Sequence, residues 1–266
     1  LPEELYNLDI LDGSPPCSTF STAGSREKAW GKEKVFREGQ KKQTLDDLFF
    51  VFLDTVEKLK PKIVIAENVV GLIKGNAKGY VNAIIKKFYE IGYDVQLFKL
   101  NAALMDVPQA RERVFFIANN QNYKKLKLDF NGKPILFGEV RTEQGANTGT
   151  ELQKRVLLHN IQDCFSVEDI NKKIGKSGGY TNLIIWDDRI CNTITSNGQI
   201  FRAIDKLGFC KQDFVNVSSF PQDYDFGKEN AKYICGMSVP PNMMANIAIE
   251  IWNQWLKCDF DEKAKN

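Results

Sequence analysis

The sequence predicts an α/β protein built on a doubly wound parallel sheet. Three observations carry this. Residues 62–66, Lys-Ile-Val-Ile-Ala, form a nearly continuous apolar, β-branched run, the pattern of a strand buried on both faces. Strand-like runs alternate with amphipathic helical stretches through the first 119 residues, as in βαβ units. A polar stretch then interrupts the alternation before helical periodicity returns near the end.

The elements follow in order. Residues 8–11 read as a short strand ending at Gly13. Residues 44–59 read as a helix, with Thr44 as N-cap, Asp46 and Asp47 in the first turn and Pro61 beyond its end. The strand at 62–66 follows, then an amphipathic helix over 81–91 closed by Gly92. Residues 93–100 and 114–118 are two further strands. From 120 to about 207 the chain is rich in Asn, Gly, Lys and Thr with short apolar runs, which predicts a small, mostly β insertion. From about 208 helix returns. Pro241 stands where a first helical position would be, and 243–256 is strongly apolar. Residues 259–266 read as a solvated tail. The division drawn is 1–138 as the first segment of a large domain, 139–207 as a smaller domain and 208–266 as a return to the first.

Composition excludes several classes. With 266 residues, 43% hydrophobic and 26% charged, the chain is an ordinary globular one. Its longest apolar run, residues 48–53, is far short of the ~20 residues of a membrane span. A net charge of +2 neither requires nor excludes a polyanionic partner. The six cysteines form no CxxC pair, which fits a reducing cytoplasm rather than a disulfide framework. His159 is the only histidine, so a His-rich metal site is excluded and no metal is expected. It falls in the polar insertion and reads as structural. Chemistry is left to Cys, Glu, Asn and Arg.

Three short motifs hold those residue types. Gly13-Ser14-Pro15-Pro16-Cys17 follows the first strand; open α/β sheets place their sites at such carboxyl ends, and the prolines stiffen the turn. Alone, Cys17 reads equally well as a buried inert thiol. Glu67-Asn68-Val69 follows the second strand and is, alone, an ordinary strand end. Pro108-Gln109-Ala110-Arg111-Glu112-Arg113 precedes a strand; on an extended segment Arg111 and Arg113 share a face, which alone is a solvated strand entry.

Together, and in this order, the motifs resemble the cytosine-C5 DNA methyltransferases. The proline-cysteine, Glu-Asn-Val and Gln-x-Arg-x-Arg motifs of that family match here. Ser219-Phe220-Pro221-Gln222-Asp223-Tyr224 and Gly236-Met237-Ser238-Val239-Pro240-Pro241 resemble its C-terminal signatures. The resemblance covers most of the chain outside the central insertion. It implies a Rossmann-like S-adenosylmethionine-dependent methyltransferase sheet, with 139–207 as a target-recognition domain. It implies Cys17 as the nucleophile on cytosine C6 and Glu67 as the proton donor at N3 and the exocyclic amine. Asn68 would orient the Pro-Cys turn, Arg113 would bond the cytosine O2, and Arg111 would support the Cys17 end of the base. The cofactor would be S-adenosylmethionine, with Pro16, Ser238 and Val239 as contacts. The partner would be double-stranded DNA with its target base flipped out, bound by a monomer. A cognate restriction endonuclease in a bacterial or phage setting is a further expected partner; no membrane is expected.

The basic segment 18–43 would close over the flipped base. Ser21, Arg26, Lys28 and Lys32 are its candidate DNA contacts, joined by Thr193 and Thr195 near the end of the insertion. The chain departs from the family in places. Ser18 and Met237 stand where the family often has Gln and Asn. The family's Gly-rich cofactor loop and two acidic cofactor contacts do not appear, so the first strands of the sheet are expected to be missing. Two alternatives therefore stay open: the same chemistry on tRNA, and a non-catalytic DNA-binding fragment.

Overall fold

The computed structural model describes residues 2–16, 33–34, 43–44, 48–74 and 78–257. The described chain divides into two compact units. The first holds Leu1–Leu100, Glu112–Leu128 and Ile251–Asn266; the second holds Asn101–Arg111 and Asp129–Glu250. This partition differs from the division at 138 and 207 that the sequence led us to expect.

The first unit is a four-stranded sheet with helices. Its strands are β1 (Ile10–Gly13), β4 (Ile63–Val69), β7 (Glu112–Asn119) and β5 (Asp94–Asn101), in the order β1-β4-β7-β5. The short strands β2 (Glu33–Lys34) and β3 (Gln43–Thr44) pair antiparallel by themselves, so Thr44 lies in a strand rather than at a helix cap. Helices α1 (Leu48–Leu59) and α2 (Lys78–Glu90) complete the unit.

β4 and β7 are central and buried, as their apolar runs require. Phe49, Leu53 and Val56 of α1 and Ile84 and Phe88 of α2 pack with Val64, Ala66, Val114 and Phe116 of these strands in one core. The rings of Phe49 and Phe88 each contact Phe116, with centroids 5.2 and 6.5 Å away.

The α/β class holds, but the sheet is mixed rather than parallel. β1 and β4 run parallel, with Gly13 opposite Ala66, whereas β4 and β7 run antiparallel, with Val69 opposite Arg113 and Ile63 opposite Asn119. The reason lies in the connection from β5 to β7. It carries one 3-10 turn, Ala102–Leu104, and the two-residue strand β6 (Gln109–Ala110), too little for the helical crossover that parallel neighbours need.

Two of the cores among the described residues lie in the second unit. One joins Phe137, Ile185, Cys191, Ile194 and Ile200 to Phe209, Phe214, Val217, Phe220 and Cys235. The other gathers Val156, Ile161, Val167, Ile170, Ile184 and Phe201. Its strands are short: β8 (Leu183–Ile185) pairs with β10 (Ile200–Arg202), and β9 (Cys191–Asn192) pairs with β6, both parallel. Helices α3 (Phe137–Val140), α4 (Glu151–Leu158) and α5 (Val167–Lys173) lie in or at the edge of the segment expected to be mostly β. That expectation is corrected, and side-chain caps explain why. Thr150 Oγ1 accepts from Gln153 N, and Ser166 with Asp169 forms a capping box, so polar residues start helices here. α6 (Lys211–Val217), α7 (Ala231–Met237) and α8 (Pro241–Ile251) follow. α8 begins at Pro241, whose ring presets the first helical turn.

His159 is the C-terminal cap residue of α4, and its carbonyl accepts from Lys206 Nζ at 3.1 Å. No described helix is long and apolar enough to cross a membrane.

Candidate active site

In the first unit the sheet aligns two of the motifs. The chain leaves β1 at Gly13, where a Cβ would lie 2.6 Å from the Phe52 ring; glycine lets α1 approach this strand end. Ser14, Pro15 and Pro16 follow, with Pro15 buried and Pro16 exposed. The carbonyl of Pro15 accepts a 3.0 Å hydrogen bond from Asn68 Nδ2. Asn68 is itself buried, and its Oδ1 accepts from Val69 N at 2.9 Å. Its amide therefore ties the Pro-Pro turn to the end of β4. Cys17, the residue after this turn, lies outside the described residues, as do Ser21, Arg26, Lys28 and Lys32.

Glu67 and Asn68 lie within β4 rather than beyond it. Arg113, the second residue of β7, stands opposite Val69, which places Glu67 and Arg113 on a diagonal of the antiparallel ladder, facing the same side. Arg113 Nε and Glu67 Oε1 form an ion pair at 2.8 Å, with side chains only 14% and 13% exposed. A second nitrogen of Arg113, Nη1, donates to the Glu112 carbonyl at 2.8 Å. Burial lowers the Arg113 guanidinium pKa from its usual value, and Glu67 opposes that shift. A guanidinium titrates so high that it stays charged, so this end of the sheet holds a fixed cation against a carboxylate.

Arg111 does not share that face, which corrects the alternation read from the sequence. Arg111 N bonds back to Gln109 O at 2.9 Å, so the backbone turns between β6 and β7 and the period-two rule lapses there. The side chain is 1% exposed within the second unit. Its Nη1 donates to Ile194 O at 2.9 Å and its Nη2 to Gly236 O at 3.0 Å.

Gln109 is the residue that sequence reasoning passed over, although it opens the Gln-x-Arg-x-Arg motif. It is fully buried. Its Nε2 donates to Val217 O at 3.2 Å, and its Oε1 accepts from Ile194 N at 3.1 Å.

The other expected contacts are also in the second unit. Thr193 Oγ1 donates to Ala110 O and Thr195 Oγ1 to Asn197 O, each at 2.7 Å. With those protons committed, both hydroxyls offer only lone pairs, which a phosphate cannot use. Ser238 caps α7, its hydroxyl donating to Ile234 O at 2.7 Å, and Val239 is half-buried. A committed hydroxyl, an aliphatic side chain and an exposed proline make no donor set for the amino acid and ribose parts of S-adenosylmethionine. These described residues do not fit that cofactor by themselves.

Among the described residues no group of three His, Cys, Asp or Glu side chains could hold a metal ion. Burial pushes the Cys191 thiol far up, with Asp213 adding to the shift, and burial raises Cys235 as well. Neither is poised as a thiolate nucleophile.

Comparison with known proteins decides what this arrangement belongs to. The model of the C-5 cytosine-specific DNA methylase family matches residues 2–253. The chain belongs to that family. Within it, the chain is similar to the type II methyltransferase M.Sau96I of Staphylococcus aureus, 30% identical over 263 residues, covering 89% of this chain and 58% of that protein. It is also similar to the orphan methyltransferase M.SPRI of Bacillus phage SPR, 35% identical over 137 residues, covering 50% of this chain and 28% of that protein. The chain thus spans less than two thirds of the length of these two methyltransferases. A prophage-encoded E. coli protein shares the fold, with a TM-score of 0.62 at 17% identity over 92% of this chain and 79% of that one. So does DNMT2 of Spodoptera frugiperda, with a TM-score of 0.59 at 14% identity over 92% and 80%.

Proposed function

We propose that this chain activates a cytosine of duplex DNA for methylation at C5. The observation that carries the reading is the buried pair of Glu67 on β4 with Arg113 on β7, beside Asn68 of β4, which grips the turn leading into Cys17. A cytosine presents a basic ring nitrogen, an exocyclic amine and a carbonyl along one edge. A carboxyl group and a guanidinium side by side complement that edge: Glu67 at N3 and the amine, Arg113 at O2.

The chemistry follows from this placement. The Cys17 sulfur forms a bond to C6 while the C5–C6 π electrons shift toward C5. Glu67 takes up a proton from solvent as the base enters and passes it to N3, returning to the carboxylate, while Arg113 stabilises the electron-rich ring as it forms. Once C5 has given its electron pair to an electrophile, elimination completes the cycle: base removes the C5 proton, the C5–C6 double bond re-forms, the C6–S bond breaks to release the thiolate, and N3 gives its proton back. Asn68 acts by holding the Pro15 carbonyl, so that the cysteine is presented rather than free to wander.

S-adenosylmethionine is the methyl donor the family implies; what the described residues do ends at the activated base. A cytosine within a duplex must leave the stack to reach such a site, so the base is flipped. Residues 139–207 serve as the target-recognition domain in this reading, and a restriction endonuclease is the expected companion of a type II enzyme.

The test is methyl transfer from labelled S-adenosylmethionine to mixed-sequence duplex DNA by the full-length protein. Cys17→Ala abolishes incorporation while DNA binding survives, and Arg113→Ala lowers the rate at least about 100-fold. Incorporation by Cys17→Ala at the wild-type rate refutes the assignment. A tRNA preferred over duplex DNA moves the substrate to RNA.

A further inference from the structure

We propose that residues 124–127 form a second, non-catalytic DNA contact, a strip of positive charge that takes phosphates of duplex DNA away from the target base. The choice of DNA as the polyanion rests on the reading of the chain as a DNA methyltransferase.

The strip lies wholly in the first unit. The chain enters it from Asn119, the residue of β7 opposite Ile63, at the end of the strand pair remote from Glu67 and Arg113. Residues 124–127 belong to no helix or strand, yet their backbone is held residue by residue. Leu126 gives its N–H to Gln96 Oε1 at 2.7 Å, and its carbonyl accepts from Gln96 Nε2 at 3.1 Å. Lys127 is matched in the same way by Gln254, at 2.9 and 2.7 Å. Each glutamine amide does for one residue what a neighbouring strand would do. Gln96 comes from β5 and Gln254 from the π-helical turn Trp252–Leu256. Trp255, of the same turn, donates its Nε1–H to the Lys124 carbonyl at 2.8 Å and stacks on Tyr123 with centroids 5.5 Å apart. Leu126 anchors the strip from within, 3% exposed.

The side chains left outside are those of Lys124, Lys125 and Lys127. No acidic residue stands between positions 113 and 128. None of the three ammonium groups forms an ion pair or hydrogen bond among the described residues, and Asp94 of β5 is not paired with them. In a chain of net charge +2 this is a local excess that the fold keeps together. The Cα atoms of residues 124 and 127 are at most about 11 Å apart, little more than the Debye length of about 8 Å at physiological salt, so the charges act together. One strand of duplex DNA carries about one phosphate per 3.4 Å of its axis, so such a strip faces about three at once. Ammonium groups are point charges on flexible stems, which gives a contact to phosphates without base readout. The pinned backbone leaves little to be ordered on binding.

The experiment uses the full-length protein and a labelled random-sequence duplex of about 30 base pairs, with binding read by fluorescence anisotropy between about 50 and 200 mM salt. The Lys124→Gln/Lys125→Gln/Lys127→Gln variant should bind less tightly, and its slope of log K against log salt should be shallower by about 2–3, the value for three phosphates. Its kcat for methyl transfer at saturating DNA should equal that of the wild type. Lys58→Gln/Lys78→Gln/Lys86→Gln removes the same charge from exposed positions on α1 and α2 and should keep the wild-type slope. A wild-type slope in the first variant overturns the inference. So does an equal fall in the second, because net charge alone would then account for it. Displacement of the duplex by polyglutamate as effectively as by DNA of equal charge overturns the DNA assignment in favour of an acidic protein segment. If the wild-type protein neither binds nor methylates duplex DNA, the functional reading falls and takes this inference with it. If it methylates DNA and the strip variant keeps the wild-type slope, this inference falls by itself.

Discussion

Replacing Arg113 with alanine strands a carboxylate. Glu67 is 13% exposed and its Oε1 lies 2.8 Å from Arg113 Nε, so the pair is largely withdrawn from water. At an effective dielectric of about 20, unit charges about 4 Å apart attract by roughly 4 kcal/mol. Removing one partner of a buried pair costs about 3–5 kcal/mol, because the survivor remains desolvated. Arg113→Ala should therefore lower stability by about 3 kcal/mol, and Glu67→Gln by a comparable amount. The double variant buries neither charge, so it should cost about 2–3 kcal/mol less than the sum of the singles. Urea unfolding of the four proteins measures this cycle. In thermal melts each kcal/mol corresponds to about 2–4 °C for a chain of this size. Single effects that add to within about 0.5 kcal/mol would refute the reasoning, because the two side chains would then not be coupled.

Three further predictions follow from other contacts. Asn68→Ala leaves the Pro15 carbonyl without its donor; it should cost about 1–3 kcal/mol in urea unfolding and reduce methyl transfer more than it reduces DNA binding. Gly236→Ala forces a methyl group into backbone atoms of Thr195 and Ser196 and should destabilise the protein by at least about 1–3 kcal/mol, read from the urea midpoint. Stability should also fall at alkaline pH. The Cys191 and Cys235 thiols are raised by burial, so their contribution is intact below the unfolded thiol value of about 8.5 and is lost as pH climbs toward the folded values. Each thiol contributes a slope of at most about 1.4 kcal/mol per pH unit, and Cys191→Ala should remove its share from urea midpoints measured between about pH 8 and 10.5.

Much of the site could be read from the chain in order. Glu67 and Asn68 sit at the end of a run whose apolar pattern announces a buried strand, and β4 carries them there. The proline turn before Cys17 is local covalent geometry, and the Asn68 amide bonds its Pro15 carbonyl. The helices α4 and α5 were hidden because polar caps, not an apolar stripe, begin them. Arg111 and Arg113 looked alike because both are arginines on one short stretch. A backbone turn at Arg111 separates them, and nothing in residue type reports such a turn.

The sequence by itself determined the α/β class, the positions of the main strands and the order of the motifs. These depend on periodicities of two to four residues and on chemistry that travels with residue type. Only the tertiary structure decided that β7 runs antiparallel to β4, which puts Arg113 across from Val69 and onto Glu67. Only it decided that Arg111 bonds carbonyls 83 and 125 residues away and that Gln109 shares in holding Ile194. Register and long-range hydrogen bonds are set by which buried polar groups remain to be satisfied once the cores pack, and no local pattern encodes that.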